Sequence, residues 1–147
     1  MSQIIRDITE IARCGAQYRT EALAPMGLKA CHASYLTEIC AHPGISQDKL
    51  AARICINKSN VARQAAILEE DGFITRTPAT ADKRVMELYP TEKTLELMPQ
   101  LEKIVCQWDQ IITEGDPDRG HFYVCILEFG AGDHNVLTTD ALREEIY

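Results

Sequence analysis

The sequence predicts a mainly α-helical domain carrying a small β wing, and three observations point there. Apolar residues recur at helical spacing over 3–22 and again over 91–112. A short helix, a tight turn and a second helix fit between Ser46 and Gly72. Two runs rich in β-branched and aromatic residues, 73–77 and 85–89, are separated by the polar stretch PATADKR, which reads as a hairpin with a long tip.

Each element has a local reason. Ile4, Ile8, Ile11 and Tyr18, with Ile5 and Ala12 beside them, make one side of a first helix that Pro25 and Gly27 end. A second helix over 33–41 has Leu36, Ile39 and Cys40 as its apolar side, and Pro43-Gly44 turns the chain. Ser46 is a good N-cap for a third helix over 47–53, with Leu50 and Ile54 pointing inward. Only Cys55 and Ile56 connect it to a fourth, capped by Asn57 and stopped by Gly72. Placing Val61, Ala65 and Leu68 toward the core puts Ser59, Asn60, Arg63 and Ala66 outside. After the hairpin, Thr91 is expected to cap a fifth helix. Its stripe is Leu97, Leu101, Ile104, Trp108 and Ile111, joined by Met98, Val105 and Ile112, with Pro99 expected to kink or weaken one turn. The double stripe predicts burial on two sides, as at a subunit contact. Over 117–129 a short helix is expected, although 121–129 reads equally well as a strand.

The 147 residues, 46% of them hydrophobic, are enough for one domain with its own core. The net charge of −7 argues against nucleic acid until the chain is divided at Trp108. Residues 1–108 hold 13 basic and 13 acidic side chains, whereas 109–147 hold Arg119 and Arg143 against nine acids. Binding follows the local field at a surface, so the whole-chain charge is a poor guide. Six cysteines, without a secretory signal or a CxxC pair, fit neither a disulfide framework nor a ribbon-type zinc site. With no apolar run near membrane-spanning length, the chain is expected to be soluble and cytoplasmic.

Helix, tight turn, helix and charged hairpin in that order make a winged helix-turn-helix. In such a motif the second helix of the pair reads the major groove through its N-terminal residues. PGISQDKLA at 43–51, NKSNVARQ at 57–64, LEEDGFITR at 68–76 and DKR at 82–84 resemble the multiple-antibiotic-resistance regulator (MarR) family of winged-helix transcription factors. The resemblance covers about residues 1–112. It implies a homodimer on a pseudo-palindromic operator in double-stranded DNA, with contacts from Ser59, Asn60 and Arg63 and with Lys58 near phosphate. It also implies that Arg84 enters the minor groove and that Asp82 steadies the wing, beside Lys83. An arginine at a wing tip suits the negative potential of a narrow minor groove. Arg63 either pairs with a guanine or holds phosphate. The plainer alternative makes Lys83 and Arg84 a solvated loop and Arg63 a surface residue. Pro90 and Thr94 depart from the leucine and glycine usual in the family, so the exit from the wing is expected to bend differently. The glycine-rich acidic tail replaces the long terminal helix that pairs in the family's dimers.

The expected organisation is a winged-helix domain with flanking dimerisation helices over 1–114, its DNA-binding core about 30–90, and an atypical acidic segment over 115–147. The resemblance further implies release from DNA by a small-molecule effector beside helices one, two and five, or by oxidation. Cys14 and Tyr18 stand at i and i+4 on one helix face, the spacing of the family's oxidation-sensing branch. A tyrosine hydroxyl beside a thiolate favours oxidation to a sulfenic acid, whereas an ordinary free cysteine is a small core residue. Cys31, His32, Cys40, His42 and His121 are too loosely spaced for a metal site, and no cofactor or membrane partner is expected. No nucleophile and base form a constellation, so an enzyme is not expected. The competing class is a winged-helix protein-interaction module without DNA binding.

Overall fold

A computed structural model describes residues 2–113 of the chain. The segment over 115–147, including the element expected at 117–129, His121 and Cys125, lies outside the described residues. Within them the order is α1 (Gln3–Leu23), a 3₁₀ turn (Ala24–Met26), α2 (His32–Ala41), β1 (Ile45–Ser46), α3 (Gln47–Arg53), α4 (Lys58–Glu70), β2 (Ile74–Pro78), β3 (Met86–Pro90) and α5 (Glu92–Thr113). The five helices match the expected ones to within a residue or two. Each strand of the hairpin starts one residue later than expected.

The helix-turn-helix is set by its caps. Ser46 Oγ accepts from Lys49 N–H at 3.2 Å, and Asn57 Oδ1 accepts from Asn60 N–H at 2.8 Å. Each satisfies one of the donors that a helix start leaves without a backbone partner. Between them Cys55 takes a φ of +55°, in the left-handed region that only glycine adopts freely. At the far end of α4, Gly72 has φ +78°, Phe73 N–H reaches Leu68 O at 2.8 Å and Gly72 N–H reaches Glu69 O at 3.0 Å. These two bonds close a Schellman C-cap around the glycine.

Val61, Ala65 and Leu68 are fully buried, joining Tyr35, Leu36 and Ile39 of α2, Leu50 of α3, Phe73, Ile74 and Leu88 of the hairpin, and Leu101 of α5. Truncating Leu68 to alanine there would cost about 2–5 kcal/mol.

The sheet has three antiparallel strands in the order β1-β3-β2, one more than the hairpin expected. Ile45 pairs with Leu88 and Ser46 with Glu87, while β2 and β3 run in register from Ile74↔Pro90 to Pro78↔Met86. Gly44 opens β1 at φ +87°, where a Cβ would sit 3.1 Å from Tyr89 Oη, and its N–H donates to Leu88 O at 2.8 Å.

The fifth helix continues across Pro99, which has no N–H to donate, and departs from expectation at its start. Thr91 stands at its N-cap position and its carbonyl accepts from Thr94 and Leu95, yet its hydroxyl donates to Gly72 O at 2.7 Å. The side chain ties the helix to a neighbouring turn instead of capping it. Leu101, Ile104 and Trp108 face inward, whereas Ile111 is 55% exposed. Trp108 packs across α1, where a Cβ on Gly15 would stand 3.0 Å from the indole.

Candidate nucleic-acid interface

The N-terminal turn of α4 presents a chained set of polar side chains. Ser59 Oγ donates to Asn57 Oδ1 at 2.9 Å, and Arg63 Nη2 donates to Asn60 Oδ1 at 3.2 Å, so the arginine is drawn toward the helix start. Lys58 Nζ lies 2.9 Å from Asp48 Oδ2 of α3, with both side chains about 70% exposed. An exposed pair of this kind is weak and salt-screened, so the lysine is readily released to another anion. Lys58, Ser59 and Arg63 are exposed and Asn60 is half-buried.

The wing is built differently. Its tip closes through backbone bonds from Ala79 N–H to Val85 O at 2.8 Å and from Val85 N–H to Asp82 O at 2.9 Å. Asp82 Oδ1 accepts from Arg84 N–H at 3.0 Å, and the Arg84 guanidinium stands 3.7 Å away. The Arg84 side chain is 93% exposed. Lys83 beside it is exposed as well.

Two contacts absent from the expected set hold these parts together. Arg76 on β2 grips Glu69 on α4 through Nη2 at 2.7 Å and Nε at 2.8 Å, and its own N–H reaches the same carboxylate at 3.3 Å. Both guanidinium nitrogens converge on Oε2 while the backbone N–H takes Oε1, so the carboxylate is held in direction as well as distance. His32 of α2 is buried; its Nδ1 accepts from Lys29 N–H at 3.1 Å, so Nε2 carries the proton donated to Gln64 Oε1 of α4 at 3.0 Å. Burial, opposed in part by the Gln64 hydrogen bond, holds its pKa below the ordinary 6.5. The partners lie 7 and 32 positions apart, and no short-range pattern announces either bond.

Both ring nitrogens of His32 are thereby engaged, and Cys31 beside it is exposed. Among the described residues no three histidine, cysteine or acidic side chains gather where they would hold a metal ion. Cys14 is exposed on α1. Tyr18 stacks on Trp108 with ring centroids 5.5 Å apart, and its hydroxyl donates to Gln107 Oε1 at 3.3 Å. An open groove of about 450 Å³ lies between the α2–β1 turn and α3, bordered by His42, Gly44, Lys49 and Arg53. No helix among the described residues is long and apolar enough to cross a membrane.

Residues 30–86 match the model of the MarR family. Over 103 residues the chain is 34% identical to YybA of Bacillus subtilis (strain 168), described as an uncharacterized HTH-type transcriptional regulator; the match covers 70% of this chain and 69% of that protein. The chain belongs to the MarR family. Two solved structures extend the likeness to the described architecture. The transcriptional regulator SlyA matches with a TM-score of 0.77 at 28% identity, over 86% of this chain and 89% of that one. A MarR-type regulator from Listeria monocytogenes, crystallised with a 26mer DNA, matches with a TM-score of 0.77 at 26% identity, over 87% and 86%. This MarR-family chain is a transcriptional regulator with a DNA-binding winged helix, and its relatives are regulators and not enzymes.

Proposed function

We propose that the protein is a homodimeric, sequence-specific repressor that binds a pseudo-palindromic operator in double-stranded DNA. The observation that carries this reading is the polar N-terminal turn of α4, where Ser59, Asn60 and Arg63 are organised by their own hydrogen bonds and backed by a core that fixes the helix. Ser59, Asn60 and Arg63 address bases, and Lys58 addresses phosphate. Arg84 enters the minor groove with Lys83 beside it, while Asp82 keeps the tip closed. A side chain 93% exposed, with only a loose 3.7 Å pairing to Asp82, gives up little when it enters a groove.

Dimerisation has support on α1 and α5. Ile4, Ile5 and Ile8 of α1 are 58%, 52% and 37% exposed, and Ile111 of α5 is 55% exposed. Apolar residues repeated on one helix and left open in the monomer fit a second copy better than water. Release from DNA by a small effector beside α1, α2 and α5, or by oxidation at the exposed Cys14 four positions before Tyr18, completes the reading.

Selection of bound duplexes from a random DNA pool at about 0.15 M salt tests it, because non-specific phosphate binding is already weakened there. An enriched inverted repeat, bound by two chains, is expected. Folded protein that enriches no sequence would move the function to a winged-helix protein-interaction module.

A further inference from the structure

The end of α4 satisfies the carbonyls of Leu68 and Glu69 from within the chain through the Schellman cap, and that of Ile67 through a third bond from Asp71 N–H at 2.9 Å. Beyond Glu70, three consecutive carbonyls, of Asp71, Gly72 and Phe73, are all taken by side chains from the start of α5. Lys93 Nζ donates to Asp71 O at 2.8 Å, Thr91 Oγ1 to Gly72 O at 2.7 Å and Thr94 Oγ1 to Phe73 O at 2.5 Å. The Lys93 ammonium also lies 3.9 Å from the centre of the Phe73 ring. A cation at this end of α4 is favoured by the helix dipole as well as by the ring.

Simple satisfaction of polar groups does not require this arrangement. Asp71 and Gly72 are exposed, so water would serve their carbonyls, and Phe73 O already accepts from Thr91 N–H at 3.1 Å. What the three side chains add is a direct attachment between two helices. From that attachment α5 continues to Leu101, Ile104 and Trp108, which anchor it in the core and against α1.

We propose that Lys93, Thr91 and Thr94 are positioning residues that set the pitch of α4 against DNA from the end remote from DNA. The inference rests on the reading of α4 as the helix that addresses bases. With 13 residues, α4 is roughly 20 Å long, so Lys93 acts about that far from Lys58 and Ser59. Rotation of α5 would be passed to α4 through three consecutive carbonyls, whereas a single bond would leave a pivot.

Two variants test the attachment while keeping the fold. Lys93→Met keeps an apolar stem over Phe73 and removes the ammonium. Thr94→Val keeps the buried shape and removes the hydroxyl, leaving Phe73 O the N–H and the hydroxyl of Thr91. For each, affinity is measured on the selected duplex and on an unrelated duplex of equal length at about 0.15 M salt, together with the thermal midpoint. The ratio of specific to non-specific affinity is expected to fall roughly tenfold in both variants with non-specific affinity unchanged, and Thr94→Ser is expected to restore it. An unchanged ratio in both folded variants would reduce the attachment to a fold contact and overturn the proposal. Equal loss on both duplexes for Lys93→Met would make Lys93 a phosphate contact and overturn it too. If the parent itself shows no preference, the DNA reading of α4 fails first, and that result appears before any variant is made.

Discussion

The N-terminal turn of α4 and the tip of the wing both carry arginine, yet they hold it in opposite ways. Arg63 is tethered to Asn60, which shares its turn with the Asn57 cap and with Ser59. Arg84 is 93% exposed, and its guanidinium comes no nearer to Asp82 than 3.7 Å. A pre-arranged cluster suits the fixed donor and acceptor pattern of base edges, where geometry decides between sequences. A loose side chain on a closed tip suits a groove whose width and potential vary gradually. The proposed function thus gives discrimination and general attraction to separate parts of the molecule. The Arg76–Glu69 contact keeps those parts in one frame.

The largest effect is expected from breaking the ordered side. Arg63→Ala should cost about 1–3 kcal/mol on the preferred duplex and relax the preference at the base it addresses. Competition binding against single-base variants reads both effects, and a uniform loss would place Arg63 on phosphate. Arg84→Ala should weaken every duplex by a similar factor; a loss confined to one sequence would contradict its assignment to the groove. Lys58→Ala should do less at physiological salt, reducing the slope of log affinity against log salt by about 1. An unchanged slope would mean that Lys58 stays with Asp48 in the complex.

The smallest effect concerns the support behind the ordered side. Because burial keeps the His32 pKa below 6.5, the unfolded chain takes up this proton first as pH falls. Its stabilising contribution is therefore complete above about 6.5 and declines beneath it. The thermal midpoint should drop between pH 7.5 and 5.5, with His32→Gln flattening that drop. An equal drop in the variant would assign the pH dependence to other groups.

Legibility in the sequence follows the range of the interactions. Ser46 and Asn57 announce their helices because a cap binds an amide three residues on, within one stretch of chain. Val61, Ala65 and Leu68 are placed correctly because helical periodicity is local. The two-residue β1 escapes a sequence reading because only its pairing with Leu88 and Glu87, some forty positions later, makes it a strand. Thr91 reads as a side-chain cap because nothing within four residues shows that Gly72 O stands closer to its hydroxyl. Lys93, His32 and Arg76 escape for the same reason. The isoleucines of α1 are legible as a stripe, but a stripe does not name what covers it.

One measurement addresses the division of labour directly: duplex selection from a random pool carried out in parallel with the parent, Arg63→Ala and Arg84→Ala. The parent and Arg84→Ala are expected to enrich the same inverted repeat, the variant more weakly, whereas Arg63→Ala enriches a repeat degenerate at one or more positions in each half. Identical repeats from all three proteins, or a changed repeat from Arg84→Ala alone, would contradict the division.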